Sequence, residues 1–158
     1  MHGMDWYSII KTVHIISGAI LFGTGLGIAF FFFYANWHNE IPSRLFAVRT
    51  TVLADFLFTL PAVIIQPVTG FWLIRHSGID WTSFWLVATY VIYIVAGCCW
   101  LPVVWLQIKI KNMLHESHKT GKPLPTKYQT YFRLWFLLGW PAFIGLLVVF
   151  FLMVAKPA

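Results

Sequence analysis

The chain has 158 residues, of which 59% are hydrophobic, 19% aromatic and only 10% charged, and its formal net charge is +6. Because soluble domains carry about a quarter charged residues, this composition excludes an ordinary soluble domain and indicates a protein of the lipid bilayer. The positive charge follows from Lys and Arg placed around membrane spans, and it does not indicate binding of nucleic acid.

Four apolar runs are each long enough to cross a hydrocarbon core of about 30 Å. They cover roughly Ser8 to Tyr34, Thr50 to Ile74, Thr82 to Gln107 and Tyr131 to Val154. Backbone groups in lipid must be paired within the segment, and these runs are too long for barrel strands. The sequence therefore predicts an all-α fold: an antiparallel bundle of four transmembrane helices, with residues 1–158 forming a single integral membrane domain.

The positions of Lys and Arg predict the orientation. Arg44 and Arg49 lie between the first two spans, and five lysines lie between the last two: Lys109, Lys111, Lys119, Lys122 and Lys127. We therefore expect a multi-pass protein of the bacterial inner membrane with both termini on the non-cytoplasmic side. The first run is longer than the core of a signal peptide, so we expect it to be retained.

His14 is the polar residue that the first span explains least well. On a helix it shares one face with Gly18, Leu21 and Gly25. The two glycines leave room beside the imidazole for either a neighbouring backbone or a flat cofactor. Two interpretations stay open: close helix packing, with His14 hydrogen-bonded to another helix, and ligation of haem iron.

The second and third spans each carry a polar face that we expect to point into the bundle, because polar groups in lipid are costly. The second-span face comprises Thr51, Asp55, Thr59, Gln66 and Thr69, and the third-span face comprises Thr89, Tyr93, Ala96, Trp100 and Gln107. For Asp55 we expect an ion pair with Arg49 or Arg133, with a proton-relay role as the alternative.

Prolines interrupt the second and fourth spans. Pro61 and Pro67 should bend the second helix and free carbonyl groups toward the interior. In the fourth span Pro141 follows Trp140, which shares a face with Arg133. Two bent helices facing each other predict a ligand pocket inside the bundle.

Motifs outside the spans give weaker evidence for a metal site. His115 and His118 have a spacing that binds metal on a helix, but on a lysine-rich loop a solvated surface is the simpler interpretation. His2 and Met4 offer ligands for copper. No Ser-His-Asp set, phosphate-binding glycine loop or HExxH helix is present, which argues against hydrolases and nucleotide enzymes.

The order of several landmarks resembles a known family. They are Thr12-Val13-His14-Ile15-Ile16, Arg49, Leu60-Pro61, Gly70-Phe71-Trp72-Leu73, Tyr131-Phe132-Arg133-Leu134-Trp135, Trp140-Pro141 and Val154-Ala155-Lys156-Pro157. Over nearly its full length the chain resembles bacterial integral membrane proteins of unknown function in the CopD-like superfamily, and it is distantly similar to HemJ-type membrane protoporphyrinogen oxidases. The resemblance implies that His14 binds haem b, and the CopD-like relation implies copper handling.

One departure limits the second resemblance. Where HemJ-type proteins carry a His-Ala-Lys-like element, this chain has Ser83, Phe84 and Trp85, which argues against protoporphyrinogen oxidation. An inward ladder of Met and His, as copper handling would need, is also absent from the spans.

Together these patterns predict a haem b site in which His14 binds the iron, Gly18 and Gly25 accommodate the macrocycle, and Arg75 and His76 pair with the propionates. The expected role is electron transfer involving quinone or another membrane redox protein. The alternatives are a non-catalytic structural or assembly subunit and, third, copper handling. No catalytic residue is identified, the sequence does not decide whether the protein is an enzyme, and a homo-oligomer is one possible assembly.

Overall fold

A computed structural model describes residues 5–37 and 40–157 of the chain, and every regular element in these ranges is helical. The elements are α1 (Trp6–Trp37), α2 (Ile41–Ala54), a π-helical segment (Asp55–Thr59), α3 (Leu60–Ser77), α4 (Phe84–Thr120) and α5 (Lys127–Ala155). Since α2, the π-helical segment and α3 are continuous, the described residues form four helices that are long and apolar enough to cross a membrane. The predicted all-α class and the presence of four helices that are long and apolar enough to span a membrane are confirmed.

The helices extend beyond the predicted spans. We expected a lysine-rich loop after Gln107, but α4 continues to Thr120 and ends at Gly121, whose φ of 69° is left-handed. The reason is an apolar stripe: Leu106, Ile110 and Leu114 recur at a spacing of four residues and are all buried. Lysines on the opposite face lower the mean hydropathy of this segment, so a prediction from hydropathy ended the span before it.

The segment before the second predicted span is also helical. α2 begins at Ile41, with Pro42 in its first turn, where a missing N–H is tolerated. Arg44, which we counted as a charge between the first two spans, is buried with its guanidinium carbon 5.6 Å from the centre of the Tyr128 ring. Tyr128 in turn donates a hydrogen bond to the side-chain oxygen of Asn36.

The main apolar core lies at this same end of the bundle. Phe32 of α1 is fully buried, and its ring centre lies 4.8 Å from that of Trp135. The core residues come from α1, α2, α4 and α5: Phe32, Leu45, Ala47, Val48, Val103, Leu106, Ile110, Leu114, Tyr128, Phe132 and Trp135. Elsewhere large apolar side chains such as Phe31 are exposed on the outside, as expected for helices that face lipid.

The two polar faces point inward as predicted. Buried members include Thr51, Asp55, Thr59, Gln66, Thr89 and Gln107. One expected effect of the prolines is confirmed: Pro67 has no N–H, so the carbonyl of Val63 lacks its helical partner, and Tyr93 of α4 supplies one instead. Pro61 lies just after the π-helical segment, in which the N–H of Leu60 bonds to the carbonyl of Asp55, five residues earlier.

Candidate functional site

His14 is fixed by α3. Its Nδ1 lies 2.7 Å from Oγ1 of Thr69, whose hydroxyl donates a hydrogen bond of 2.6 Å to the carbonyl of Ile65. Because the single hydroxyl hydrogen is used in that bond, Thr69 Oγ1 accepts from Nδ1–H of the imidazole. In the neutral ring the lone pair is therefore on Nε2, which is the nitrogen that the predicted haem ligation requires.

The space beside His14 differs from the prediction. A Cβ placed on Gly18 would lie 3.1 Å from Nε2 of Gln66 and 3.4 Å from the ring of Phe150, so the hollow expected there is filled. A Cβ on Gly70 of α3 would lie 3.3 Å from Cε1 of His14. These glycines allow close packing of helices, and side chains from α3 and α5 lie in the space beside Gly18 in which we expected room for a macrocycle.

Gln66 of α3, one helical turn before Thr69, joins α3 to α1 by hydrogen bonds. Its Nε2 donates hydrogen bonds of 2.6 Å to the carbonyl of His14 and to Oγ of Ser17. Ser17 also donates to the His14 carbonyl at 3.0 Å. Gln66 belonged to the predicted polar face, but its role in anchoring the backbone at His14 was not predicted.

The two residues expected to pair with propionates have other surroundings. The His76 ring stacks on Trp72 with a centre-to-centre distance of 3.8 Å, and its Nδ1 donates to the Trp72 carbonyl at 2.9 Å. Arg75 is exposed at the end of α3. Within the described part of the chain, no hydrogen bond connects His14 with Arg75 or His76.

A cavity of about 360 Å³ lies inside the bundle, further along α1 than His14. Gly25, Gly97 and Gly139 line it, and a Cβ on any of them would meet no atom within 4 Å, so the glycines create this space. Gly25 thus provides the room that Gly18 lacks, but not beside the histidine. Aromatic rings form much of the wall: Phe22, Phe30, Phe33, Tyr93, Trp100, Trp135, Phe136, Trp140 and Phe143.

The cavity has a lateral opening between α1 and α5. Leu26 and Phe30 on α1, and Phe136 and Trp140 on α5, line the cavity and are also exposed on the outside of the bundle. Ring contacts connect the two helices on either side of this opening, between Phe22 and Phe143 at 5.1 Å and between Phe33 and Phe136 at 5.2 Å. The pocket predicted from the bent helices is therefore present.

Asp55, Thr59 and Gln107 form a polar floor in this apolar cavity. They are 3%, 4% and 2% exposed, and Oδ2 of Asp55, Oγ1 of Thr59 and Oε1 of Gln107 have no hydrogen-bond partner in the described structure. Buried polar atoms are normally paired, so three neighbouring oxygens that make no hydrogen bond of ordinary geometry in one cavity are unusual. The polar floor is the strongest indication of a ligand in the described residues.

The ion pair expected for Asp55 is not formed. The side chains that face its carboxyl group are Thr59, Gln107 and Trp100, none of which is cationic. Arg49 instead donates a hydrogen bond of 2.8 Å to Nδ1 of His115. The prediction was wrong because α4 stays helical beyond the predicted span and brings His115 to Arg49.

The weaker metal motifs gain no support. His115 and His118 are both exposed on α4, and the Arg49 guanidinium donates to Nδ1 of His115. Across residues 5–37 and 40–157, no three His, Cys, Asp or Glu side chains come together as a metal site. The copper candidates His2 and Met4 lie outside the described residues.

Four long apolar helices around an intramembrane cavity define an integral membrane protein of the helical class. The sequence matches the family of predicted integral membrane proteins DUF2269 over residues 8–157, and the chain belongs to that family. No curated protein and no solved structure matches the chain.

Proposed function

We propose that this protein binds a quinone-class ring compound in the intramembrane cavity, as part of an electron-transfer role in the bacterial inner membrane. The observation that carries the proposal is the polar floor of Asp55, Thr59 and Gln107 inside an otherwise apolar cavity. Ligand sites typically combine an apolar wall with a few polar groups that orient the ligand.

The wall and the opening both suit such a ligand. Aromatic rings pack well against a flat ring compound, and Trp100 and Trp140 provide large faces on α4 and α5. The lateral opening between α1 and α5 is lined by exposed apolar side chains, so a ligand dissolved in the bilayer can enter without crossing water.

Filling the cavity tests the proposal. Gly25→Leu should place its side chain in the cavity and weaken binding of a short-tailed quinone by at least about tenfold, since a filled site excludes the ring. The matched control is Gly23→Leu, also on α1, where the glycine is exposed and a Cβ meets nothing within 4 Å. Equal affinities of the two purified variants in titration calorimetry would contradict the proposal.

A second candidate is haem b ligated by His14, as the resemblance to CopD-like and HemJ-type proteins implies. The favourable observation is the hydrogen bond from Nδ1 to Thr69, which leaves the lone pair of Nε2 available to iron. The imidazole fits this cofactor, but the packed space beside Gly18 does not fit the macrocycle. A haem bound to His14 would therefore have to lie against a face of α1 and α3 other than the one that contains Gly18.

Absorption spectroscopy tests the haem candidate. Protein purified from a host with ample haem should show a Soret band and sharp α and β bands after reduction, and His14→Ala should lose them. Thr69→Val keeps the imidazole but removes its acceptor, so it should retain haem with altered bands. Colourless wild-type protein would contradict haem binding. If this protein also binds no quinone, the structural or assembly role is favoured.

We also propose a membrane topology for this protein: an antiparallel bundle with both termini on the non-cytoplasmic side. It is supported by the lysines between the last two spans, of which Lys109 and Lys119 lie on α4 beyond Gln107. Cysteines introduced at Ser77 and at Thr120 should react with an impermeant thiol reagent from opposite sides of the membrane. The native Cys98 and Cys99 should be replaced by Ala in that experiment, because Cys98 is exposed on the outside of α4.

A further inference from the structure

We propose that the polar floor selects its ligand by hydrogen-bond donors, so that the cavity binds the hydroquinone form in preference to the quinone. This inference rests on the proposed function and names the form of the ligand that the site prefers. The relevant atoms are the buried oxygens of Asp55, Thr59 and Gln107, which have no hydrogen-bond partner in the described structure.

Acceptors dominate the unpaired atoms. Oε1 of Gln107 accepts hydrogen bonds, Oδ2 of Asp55 accepts them in the carboxylate form, and Oγ1 of Thr59 can do so. A quinone carbonyl would place another acceptor against them, whereas a hydroquinone hydroxyl can donate. An acceptor that stays buried without a donor is unfavourable, so the hydroxyl is the better partner.

One unpaired donor lines the same cavity, and it suits a hydroxyl as well. Nε1 of Trp135 is buried and has no hydrogen-bond partner among residues 5–37 and 40–157, and Trp135 is only 5% exposed. A phenolic oxygen accepts a hydrogen bond while its hydrogen is donated elsewhere. A ring with hydroxyl groups can therefore serve both kinds of unpaired atom, whereas a quinone or a dialkyl ether can serve only the donors.

Thr59 lies in the π-helical segment, and its hydroxyl has no hydrogen-bond partner in the described structure. Five other helical threonines donate to the carbonyl four residues earlier, at 2.6 to 3.0 Å: Thr12, Thr50, Thr69, Thr89 and Thr120. For Thr59 that carbonyl belongs to Asp55, which pairs with the N–H of Leu60, five residues later, as in a π-helix. The Thr59 hydroxyl does not make the local bond and lies in the cavity wall.

The flat shape of the wall favours a ring over an alkyl amine, although an ammonium group is also a donor. Trp100 faces the Asp55 carboxyl group, so a ligand head that reaches Asp55 contacts an indole ring. An aromatic head group can stack there while its hydroxyl points to the carboxyl group.

The experiment compares four ligands with the same short alkyl tail under anaerobic conditions: a hydroquinone, its quinone, its dimethyl ether and a primary alkylammonium. Titration calorimetry on the full-length protein in detergent should give an affinity for the hydroquinone at least about tenfold above that for the other three. Asp55→Asn, which preserves shape but adds donors, should reduce the preference over the quinone to about twofold or less. Asp5→Asn, at an exposed position, is the control and should leave it unchanged.

The outcomes separate the two proposals. Equal binding of the hydroquinone, quinone and ether would overturn the donor selection and leave the cavity function standing. Tighter binding of the alkylammonium would also overturn it, because the floor would then be a cation site. Failure of every ring compound to bind would overturn the proposed function together with this inference. Thr59→Val is a second variant of preserved shape and should also lower the preference for the hydroquinone.

Discussion

The hydroxyl of Tyr93 lies 2.7 Å from the carbonyl oxygen of Val63, the backbone group that Pro67 leaves without a helical partner. A proline within a membrane span is tolerated when a neighbouring helix pairs the freed carbonyl. Here Tyr93 of α4 supplies the hydrogen bond that the Val63 carbonyl of α3 lacks, so the pairing of this carbonyl depends on the position of α4.

Removing this hydroxyl should destabilise the protein. Tyr93→Phe should lower the free energy of unfolding by about 0.6 to 1.7 kcal/mol, the range for hydrogen bonds between membrane helices. In a Pro67→Ala background the Val63 carbonyl regains an N–H, so the same substitution should have a smaller effect. Denaturation in mixed micelles measures both, with Tyr90→Phe, an exposed tyrosine on the same helix, as the control. Additive effects of the two substitutions would contradict this interpretation.

Gln66 should contribute more than one hydrogen bond to the pairing of α1 with α3. Gln66→Leu removes the two 2.6 Å bonds to the His14 carbonyl and to Ser17, and we expect a loss of about 1 to 3 kcal/mol. Gln129→Leu is the control, because Gln129 is exposed at the start of α5. Similar unfolding free energies for the two variants would show that the network does not stabilise the fold.

Two glycines of α1 should respond differently to the same substitution. Gly18→Ala places a methyl group 3.1 Å from Gln66, whereas Gly25→Ala meets nothing within 4 Å. Because the intrinsic helix preference for Ala is the same at both positions, the difference reports packing, and we expect Gly18→Ala to be less stable by about 1 to 3 kcal/mol. A melting temperature of Gly18→Ala equal to or above that of Gly25→Ala would contradict the close approach of Gln66 to Gly18.

Asp80 should make the turn between α3 and α4 sensitive to acid. The backbone N–H and the hydroxyl of Thr82 donate to its Oδ1 at 2.9 and 2.8 Å, and they hold the pKa of Asp80 below its usual 3.8. A lowered pKa stabilises the folded state above the unfolded value, and the contribution is lost as the pH falls through the folded value.

We therefore expect wild type to melt at a higher temperature than Asp80→Asn above about pH 4, with the difference disappearing as the pH falls further. The measurement is a series of melting curves in detergent from neutral to acidic pH. A difference that stays constant over the whole series would rule out the Asp80 charge as its source.

The sequence predicted the parts of the fold that depend on hydropathy and helical periodicity. Asp55 and Gln107 point inward as their spacing on the helix indicated, because burying a polar face within the bundle keeps it from lipid. The freeing of a carbonyl by Pro67 followed from the chemistry of proline alone. The interpretation of His14 as hydrogen-bonded to another helix also agrees with its contact to Thr69.

What the sequence did not predict depends on contacts between helices. The hollow beside Gly18 is filled by Gln66 and Phe150, and no pattern within α1 could reveal residues of two other helices. The partner of Arg49 is His115 because α4 continues as a helix outside the membrane. The π-helical segment also has no simple sequence signature, although Pro61 just beyond it marks a place where the regular bonding fails.

The lateral opening between α1 and α5 has a consequence for how strong the binding needs to be. A ligand that enters from the acyl chains is supplied at its concentration in the bilayer, which for an oily compound far exceeds its concentration in water. Partitioning of the proposed ligand into lipid therefore raises the fraction of cavities that are occupied at a given affinity. A modest intrinsic affinity would keep the cavity filled, while the same ligand could still leave quickly enough to be exchanged for another molecule in the membrane.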